Sequence, residues 1–535
     1  MYTVLIKDGM VADGAGTPLK RADVAIQKDR IAAVAPGLAD TAQTVIDAAG
    51  LVVAPGFIDI HTHTDGTVFR YPLAESKIRQ GVTTEVTGNC GIGCFPVARE
   101  RADILLDYLR VHEFDLPPEG LAWIGFAEYS ARVAKARPAV NHVPLLAHGA
   151  LRIAVMGADD RLPTAQEQAA MEEILDRELA AGAWGMSSGL IYPPGSYAAT
   201  AELVGLAKVL ARHGALYTSH IRGESATLLE ALEEAVTIGR ESGARVEVSH
   251  LKAMGKAFWG KGQEALRRIE AARREGVDIT ADQYPYEASS TSLATLVPPW
   301  AHAGGVGEML KKLADPAYAG KVREGIGQEM AVRGGPERVM IAGVGSERNA
   351  GLSGKTMAQI ASLWGLTAEE AVIRLLLEED GKVGAVYFSI AEADMLAILA
   401  SPYVAVGSDG RGLKAGAAAG ATHPRSYGTF ARVLGRYARE QGVLSLEQAI
   451  YKMTGLSASR LGLPDRGFLR PGAFADVVVF DPAKVNDAAT FEAPHQYATG
   501  VEHVLVNGRF VVRDGAVTGD APGRVLQRGP GGLAI

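Results

Sequence analysis

Two histidines one residue apart, His61 and His63, close the apolar run Ala54-Pro55-Gly56-Phe57-Ile58-Asp59-Ile60. Side chains alternate along a β-strand, so this spacing turns both imidazoles to one side. Imidazole is the commonest side-chain metal ligand, and two rings together make half of a site for a divalent ion. A lone His-x-His is also what two hydrogen-bonded core histidines look like, so the rest of the chain decides. Further polar residues stand at comparable places: Cys90 in Gly88-Asn89-Cys90-Gly91, His148 after residues 143–147, His220 after Tyr217-Thr218-Ser219, His250 after Val248-Ser249, and Asp409 after Gly407-Ser408. One thiolate with two imidazoles leaves a fourth zinc position open, which suits a catalytic site better than a closed structural one. Zinc polarises a carbonyl and acidifies water, and a carboxylate can carry the proton. Taken alone, Asp409 reads as a turn residue in Asp-Gly. Cys94, the other cysteine, reads as a small buried residue.

These residues need elements that bring them together. Strand-like runs at 57–60, 83–87, 143–147, 184–187, 215–219, 246–249, 278–281 and 403–407 alternate with helical stretches such as 166–181, 198–213, 225–242 and 262–275. Eight strands are the number that closes a (β/α)8 TIM barrel, and the functional residues of such a barrel gather at the strands' carboxyl ends. The fold class expected is therefore α/β, with the barrel at 54–465. Short strands recur at both ends of the chain, at 3–6, 22–27, 31–34 and 44–47, then at 475–480, 501–507 and 509–513. Neither end has enough of them for its own core, so residues 1–53 and 466–535 are expected to form one small β-sandwich domain. The stretch 298–400 exceeds one β/α unit and contains further runs at 339–344 and 386–390, which reads as an insertion. Pro/Gly-rich tracts at 192–195 and 410–424 read as loops.

The composition is that of an ordinary globular protein: 535 residues, 47% hydrophobic, 21% charged, net charge −7. Neither a basic footprint for nucleic acid nor a polybasic membrane patch is present, which favours a small-molecule substrate. The first residues, Met1-Tyr2-Thr3-Val4-Leu5-Ile6-Lys7-Asp8, have no charged segment leading into a long apolar one, so the expected location is the cytoplasm. Two cysteines in a cytoplasmic chain of this size point to a thiol with a task rather than a disulfide framework. Oligomeric state is not legible.

The succession His61-Thr62-His63, His220, His250 and Asp409 resembles the amidohydrolase superfamily along essentially the whole chain. The finer blocks are similar to the N-acyl-D-amino-acid deacylases, or D-aminoacylases: Gly88-Asn89-Cys90-Gly91, Ser219-His220-Ile221-Arg222-Gly223-Glu224, Ser249-His250-Leu251-Lys252, Asp282-Gln283-Tyr284-Pro285-Tyr286 and His423-Pro424-Arg425-Ser426-Tyr427-Gly428-Thr429-Phe430. The resemblance implies one tightly held Zn2+ on Cys90, His220 and His250, a weaker second metal near His61 and His63, and catalytic Asp409. It implies binding of the substrate α-carboxylate by Lys252, Arg425, Tyr284 and Ser290, with Tyr286 and Ser289 as alternatives. Arg has a two-pronged geometry for that task which Lys lacks. The alternatives are hydrolysis of cyclic amides, as in hydantoinases and dihydroorotases, or a catalytically silent scaffold. The cyclic-amide enzymes usually join two metals through a carboxylated lysine on the fourth strand, whereas that run here is Trp184-Gly185-Met186-Ser187-Ser188-Gly189-Leu190. Residues 289–300 hold no cation, so the D-amino acid is expected to carry a neutral or apolar side chain. Arg411 and Lys414 lie in the glycine/alanine-rich tract before the His-Pro-Arg block, where they could supply one.

Overall fold

The computed structural model describes residues 1–38, 41–117, 119–416 and 422–529. At its centre, strands β1 (Phe57–Asp59), β2 (Val82–Thr87) and the first half of β3 (Asn141–Pro144) form a parallel sheet. A second parallel sheet takes up the other half of β3 (Leu146–Ala147) and continues through β4 (Gly185–Gly189), β5 (Leu216–His220), β6 (Arg245–Val248), β7 (Ile279–Gln283) and β8 (Val404–Val406). Only Leu145 separates the halves of β3, and its N–H donates to Thr87 O at 2.9 Å. At the opposite edges the ends of β1 and β8 also meet: Asp409 N–H donates to His61 O at 2.8 Å and His63 N–H to Gly410 O at 2.9 Å. Runs rich in Val, Ile and Thr suit strands that parallel pairing buries on both faces.

Helices fill the connections. Ala165–Ala180 precedes β4, Thr200–His213 links β4 to β5, Leu228–Ser242 links β5 to β6, and Lys261–Arg274 links β6 to β7. Thr164 and Glu167 form a capping box at the first of these. Gly214, at φ 58°, ends the second in a left-handed cap that a side chain would strain. Their apolar faces and the strands between them share one large core that includes Leu175, Leu206, Val236 and Ile269.

Both chain ends enter one nine-stranded sheet. Tyr2–Val11 pairs with Ala42–Asp47 along its first half and with Val52–Pro55 along its second, while Val477–Phe480 continues from Val52–Pro55. The expectation was a small β-sandwich from both termini, and the hydrogen bonding joins nine strands from both ends of the chain into one sheet. Tyr2–Val11 is long enough to serve two parallel neighbours in succession, Ala42–Asp47 from Tyr2 to Lys7 and Val52–Pro55 at Met10 and Val11. Val4, Ile26, Ile46, Val53 and Leu505 enclose a core of its own. Past this sheet the chain returns to the parallel strands, where the Trp184 indole N–H donates to Leu526 O at 2.7 Å.

The expected insertion is a three-stranded antiparallel sheet, in the order Ser289–Ser292, Val383–Tyr387, Val339–Val344, packed with helices from Val306–Ala314 to Ala368–Glu378. Its first strand lies before residue 298, and the run expected at 386–390 is Val383–Tyr387. Among the described residues no helix is long and apolar enough to cross a membrane.

Candidate metal centre and catalytic site

Cys90, His220 and His250 bring their donor atoms within 4.8 Å of one another. His61, His63, Cys90 and Asp409 form a second group under the same limit, so Cys90 belongs to both. Cys90 Sγ lies 3.3 Å from His250 Nε2 and 3.2 Å from His61 Nε2. His220 is the last residue of β5, and the others follow within a few residues of β1, β2, β6 and β8. Strand β1 stops at Asp59, yet the His61 and His63 rings still lie 5.7 Å apart and both reach Asp409, whose Oδ1 is 3.1 Å from His63 Nε2 and 3.5 Å from His61 Nε2. Cys90 (φ 56°), His250 (φ 35°) and Asp409 (φ 49°) all sit in the left-handed backbone region that side chains disfavour.

The first group fits a metal. Both ring nitrogens of His220 are buried without a hydrogen-bond partner, as is Nδ1 of His63. Orphaned polar atoms of this kind are costly in a folded interior unless something binds them. Burial drives His220 and His250 well below the ordinary histidine range, which keeps their lone pairs free for ligation. Burial also pushes the Cys90 thiol up to about 11, and a divalent ion is the agent that displaces such a proton.

Around these ligands stand the expected polar residues. Burial alone would raise Asp409, but the Arg425 guanidinium opposite, then His250 and His63, hold it well below the usual carboxylate range. Arg425 donates to Asp409 Oδ2 at 2.6 Å and to Ser290 O at 2.9 Å, and lies 4.9 Å over the Tyr284 ring. The Tyr284 hydroxyl is buried with no partner. Lys252 is paired with Glu224 and lies 2.8 Å from His250 Nδ1. All of them line one cavity of about 530 Å³ together with His63, Ser289 and Ser290. Tyr286 does not line it; its ring is turned edge-on to His423 and carries Arg432 at 4.7 Å. Ser289 directs its hydroxyl to Met254 Sδ at 3.7 Å. His148 stands apart, 2.8 Å from Glu202 beside Arg152. Cys94 is packed in the hydrophobic core, its Sγ 3.8 Å from Asp65 O, and belongs to neither ligand group.

Three groups had no assigned role in the sequence. Glu224 lies 3.2 Å from His250 Nδ1 and 3.7 Å from His220 Nε2, and Asp282 accepts from His250 N–H at 2.9 Å while facing His61 Nδ1 at 3.2 Å. Both stand inside the motif blocks, which is the signal that could have found them. Lys77 is fully buried and bonds Asp59 at 2.7 Å and Ser408 Oγ at 2.5 Å, tying the ends of β1 and β8 together. Nothing local marks it. Arg70, Arg110, Arg333 and Arg411 also line the cavity, the first two paired with Asp115 at 3.1 Å and Asp107 at 3.2 Å. Arg411 pairs with Glu113 at 2.9 Å, and Arg333 donates to Thr295 Oγ1 at 3.0 Å with its guanidinium over Tyr387. Lys414 turns away to Glu75. The remainder of the loop, 417–421, lies outside the described residues.

Comparison with known proteins matches an amidohydrolase family model to residues 44–319 and 394–512. The D-aminoacylase of Alcaligenes xylosoxydans xylosoxydans is 39% identical over 533 residues, covering 98% of each chain. The N-acyl-D-aspartate deacylase of the same organism is 39% identical over 532 residues, covering 98% of this chain and 95% of its own. Among solved structures, the N-acyl-D-glutamate deacylase of Bordetella bronchiseptica, complexed with zinc and a phosphonate mimic of the tetrahedral intermediate, is 36% identical with a TM-score of 0.83, covering 98% of this chain and 99% of that one.

Proposed function

This chain belongs to the amidohydrolase family, and from that premise we propose that it hydrolyses the amide bond of N-acyl-D-amino acids, releasing a free D-amino acid and a carboxylate. The observation that carries the reading is the convergence of Cys90, His220 and His250 beside Asp409, with Arg425 and Tyr284 alongside. The parallel strands are read as a (β/α)8 barrel closed between β8 and β1, and the sheet from both termini, about 1–53 and 466–535, as the small β-sandwich domain.

Cys90, His220 and His250 would hold one zinc ion, and His61 and His63 a weaker second metal with Asp409 and Cys90. Zinc supplies a Lewis acid for the scissile carbonyl and makes water a better acid. The protein does the rest. Asp409 takes the proton of the attacking water and returns it to the departing nitrogen, while His61 and His63 fix its carboxylate on the cavity side. Arg425, Tyr284 and Ser290 receive the α-carboxylate, and Lys252, held by Glu224, adds a positive charge beside it. A substrate carboxylate on Arg425 shares the guanidinium now committed to Asp409, so binding loosens the hold on the catalytic group. Strand β4 offers serines where the cyclic-amide enzymes carry their lysine: Ser187 accepts from Gly91 N–H at 2.9 Å and Ser188 lies 2.7 Å from the Tyr217 hydroxyl.

The preferred D-amino acid is neutral or apolar, because the arginines that line the cavity besides Arg425 are already engaged, Arg411 by Glu113, Arg333 by Thr295 and Tyr387, Arg70 by Asp115 and Arg110 by Asp107. The test is release of free amine from N-acetyl-D-Leu, -Met, -Phe, -Val, -Glu and -Asp and from the L-isomers, with zinc measured on the same sample. Release from the apolar D-substrates ahead of the rest is expected. Acidic substrates in first place would overturn the side-chain preference, and no release from any D-substrate by zinc-loaded protein would overturn the activity.

A further inference from the structure

One edge of the His250 ring has two partners that make opposite demands on it. Nε2 is turned toward the ligand group, 3.3 Å from Cys90 Sγ. Nδ1, on the other edge, lies 2.8 Å from Lys252 Nζ and 3.2 Å from Glu224 Oε1. A neutral imidazole carries one N–H, an ammonium can only donate, and an ionised carboxylate can only accept. Lys252 therefore pairs with Nδ1 only while that nitrogen bears the lone pair, and Glu224 only while it bears the proton. The opposite nitrogen decides between them. Ligation through the Nε2 lone pair leaves the proton on Nδ1, and a histidine ligand keeps its orientation by donating that proton to a carboxylate or a carbonyl.

The two side chains are placed to exchange at that nitrogen. They bond each other, Lys252 also donates to His250 O at 3.0 Å, and both are buried. Lys252 lines the catalytic cavity, and its Nζ lies 5.7 Å from the centre of the Tyr284 ring, the same ring over which Arg425 stands at 4.9 Å. An ammonium displaced from Nδ1 therefore faces the position assigned to the α-carboxylate, on a flexible four-carbon stem. We propose that Glu224 is a positioning residue that takes the His250 Nδ1 proton as a hydrogen bond when the metal is bound and so turns Lys252 toward the substrate carboxylate, coupling metal occupancy to carboxylate binding. Glu224 is not itself in the ligand group, since its carboxylate does not join the donors of Cys90, His220 and His250 that lie within 4.8 Å of one another. The coupling rests on the amide-hydrolase reading above, which supplies the carboxylate; the hold on His250 needs only the metal.

The test reads zinc affinity by competition with a chelator, which needs no turnover. Glu224→Gln should bind zinc about 10–100-fold more weakly than the parent, because a neutral amide oxygen is a poorer acceptor for the Nδ1 proton. Lys252→Met removes the competitor at Nδ1, so it should bind zinc no more weakly than the parent while raising KM once zinc is saturating. Coupling is reciprocal: a bound carboxylate must tighten zinc by the factor by which zinc tightens the carboxylate. The product D-leucine, with L-leucine as the control for complexation of zinc in solution, should strengthen zinc binding to the parent about fivefold or more, and most of that gain should vanish in Lys252→Met. Unchanged zinc affinity in folded Glu224→Gln overturns the positioning role. Loss of zinc as complete as in Cys90→Ser makes Glu224 a ligand and overturns it too. An equal D-leucine effect in the parent and Lys252→Met, or none in a parent that hydrolyses N-acetyl-D-leucine, overturns the coupling, and this arm stays informative if Glu224→Gln misfolds. A zinc-loaded parent that hydrolyses no N-acyl-D-amino acid removes the amide reading and the coupling with it, and the zinc affinities still decide whether Glu224 holds His250.

Discussion

Asp409→Asn separates proton transfer from charge pairing. The carboxylate is 7% exposed and has three polar neighbours: Arg425 at 2.6 Å, His63 at 3.1 Å and His61 at 3.5 Å. The amide keeps the shape and one acceptor but cannot take a proton. Proton transfer by one positioned group is worth about 10²–10⁴-fold, or roughly 3–5 kcal/mol of transition-state stabilisation. The second effect has the opposite sign. Arg425 loses its anion, and a buried guanidinium without one binds an incoming carboxylate more strongly. Asp409→Asn should therefore lower kcat a hundredfold or more while KM stays level or falls, whereas Arg425→Met should mainly raise KM. The assay is steady-state hydrolysis of N-acetyl-D-leucine with metal content measured on each variant. A kcat within tenfold of the parent, with metal retained, would refute the proton-carrier role and move the search to His61. Loss of metal in parallel with kcat would instead make Asp409 a ligand before anything else.

The remaining predictions concern the ligands and the buried charges. Cys90→Ser should lose the tightly held metal and nearly all turnover, read by metal analysis of the purified variant, because the hydroxyl is a far poorer soft donor; Cys94→Ser should leave both close to the parent's, because Cys94 is a packed core residue in neither ligand group. Lys77→Met strands Asp59 and Glu85 without their counter-ion, a loss of about 3–5 kcal/mol. Thermal unfolding should show a large drop that Lys77→Met/Glu85→Gln partly restores, and an unchanged midpoint in the single variant contradicts this. Burial pushes Lys452 down to about 7 from the ordinary 10.5, against the carbonyls of Ser401 and Val404 that accept from it. Between those values the unfolded chain binds the extra proton, so parent stability should rise with pH by up to about 1.4 kcal/mol per unit, while at lower pH both states are protonated and the cost of burial is constant; urea unfolding of parent and Lys452→Met at several pH values should converge as pH rises, and parallel profiles would show that the carbonyls keep the ammonium charged.

The residues that gather at the candidate centre were legible because each stands at or just after the end of a strand-like run, and parallel β/α architecture brings such positions together. What positions them was less so. Glu224 and Lys252 meet only when the ends of β5 and β6 lie side by side, and Lys77 reaches Ser408 across a separation that no local pattern reports. Ser289-Ser290-Thr291-Ser292 shows no apolar alternation, so its pairing with Val383–Tyr387 was invisible and the insertion was placed too late. The absence of cations from 289–300 was read correctly as composition, but two guanidinium groups reach that stretch in the fold, Arg425 at Ser290 O and Arg333 at Thr295 Oγ1. His-x-His was assigned the right neighbourhood for a partly different reason, since both rings lie beyond the strand that was meant to align them.

The backbone strain explains how the centre keeps its shape. A residue outside glycine in the left-handed region costs on the order of 1–3 kcal/mol and persists only where its surroundings over-determine it. For His250 the constraint is its N–H on the Asp282 carboxylate at 2.9 Å, from β7. For Asp409 it is an N–H on His61 O at 2.8 Å, beyond β1. For Cys90 it is the end of β4, where Gly91 N–H reaches Ser187 Oγ and where a side chain on Gly189 would come within 1.9 Å of Cys90 O. Each strained residue is thus held by another strand in the same parallel system as well as by its own loop. A shift at one strand end disturbs the next, which makes the site cooperative in its geometry. Ligand positions set in this way are paid for during folding, so that little reorganisation remains when metal and substrate arrive.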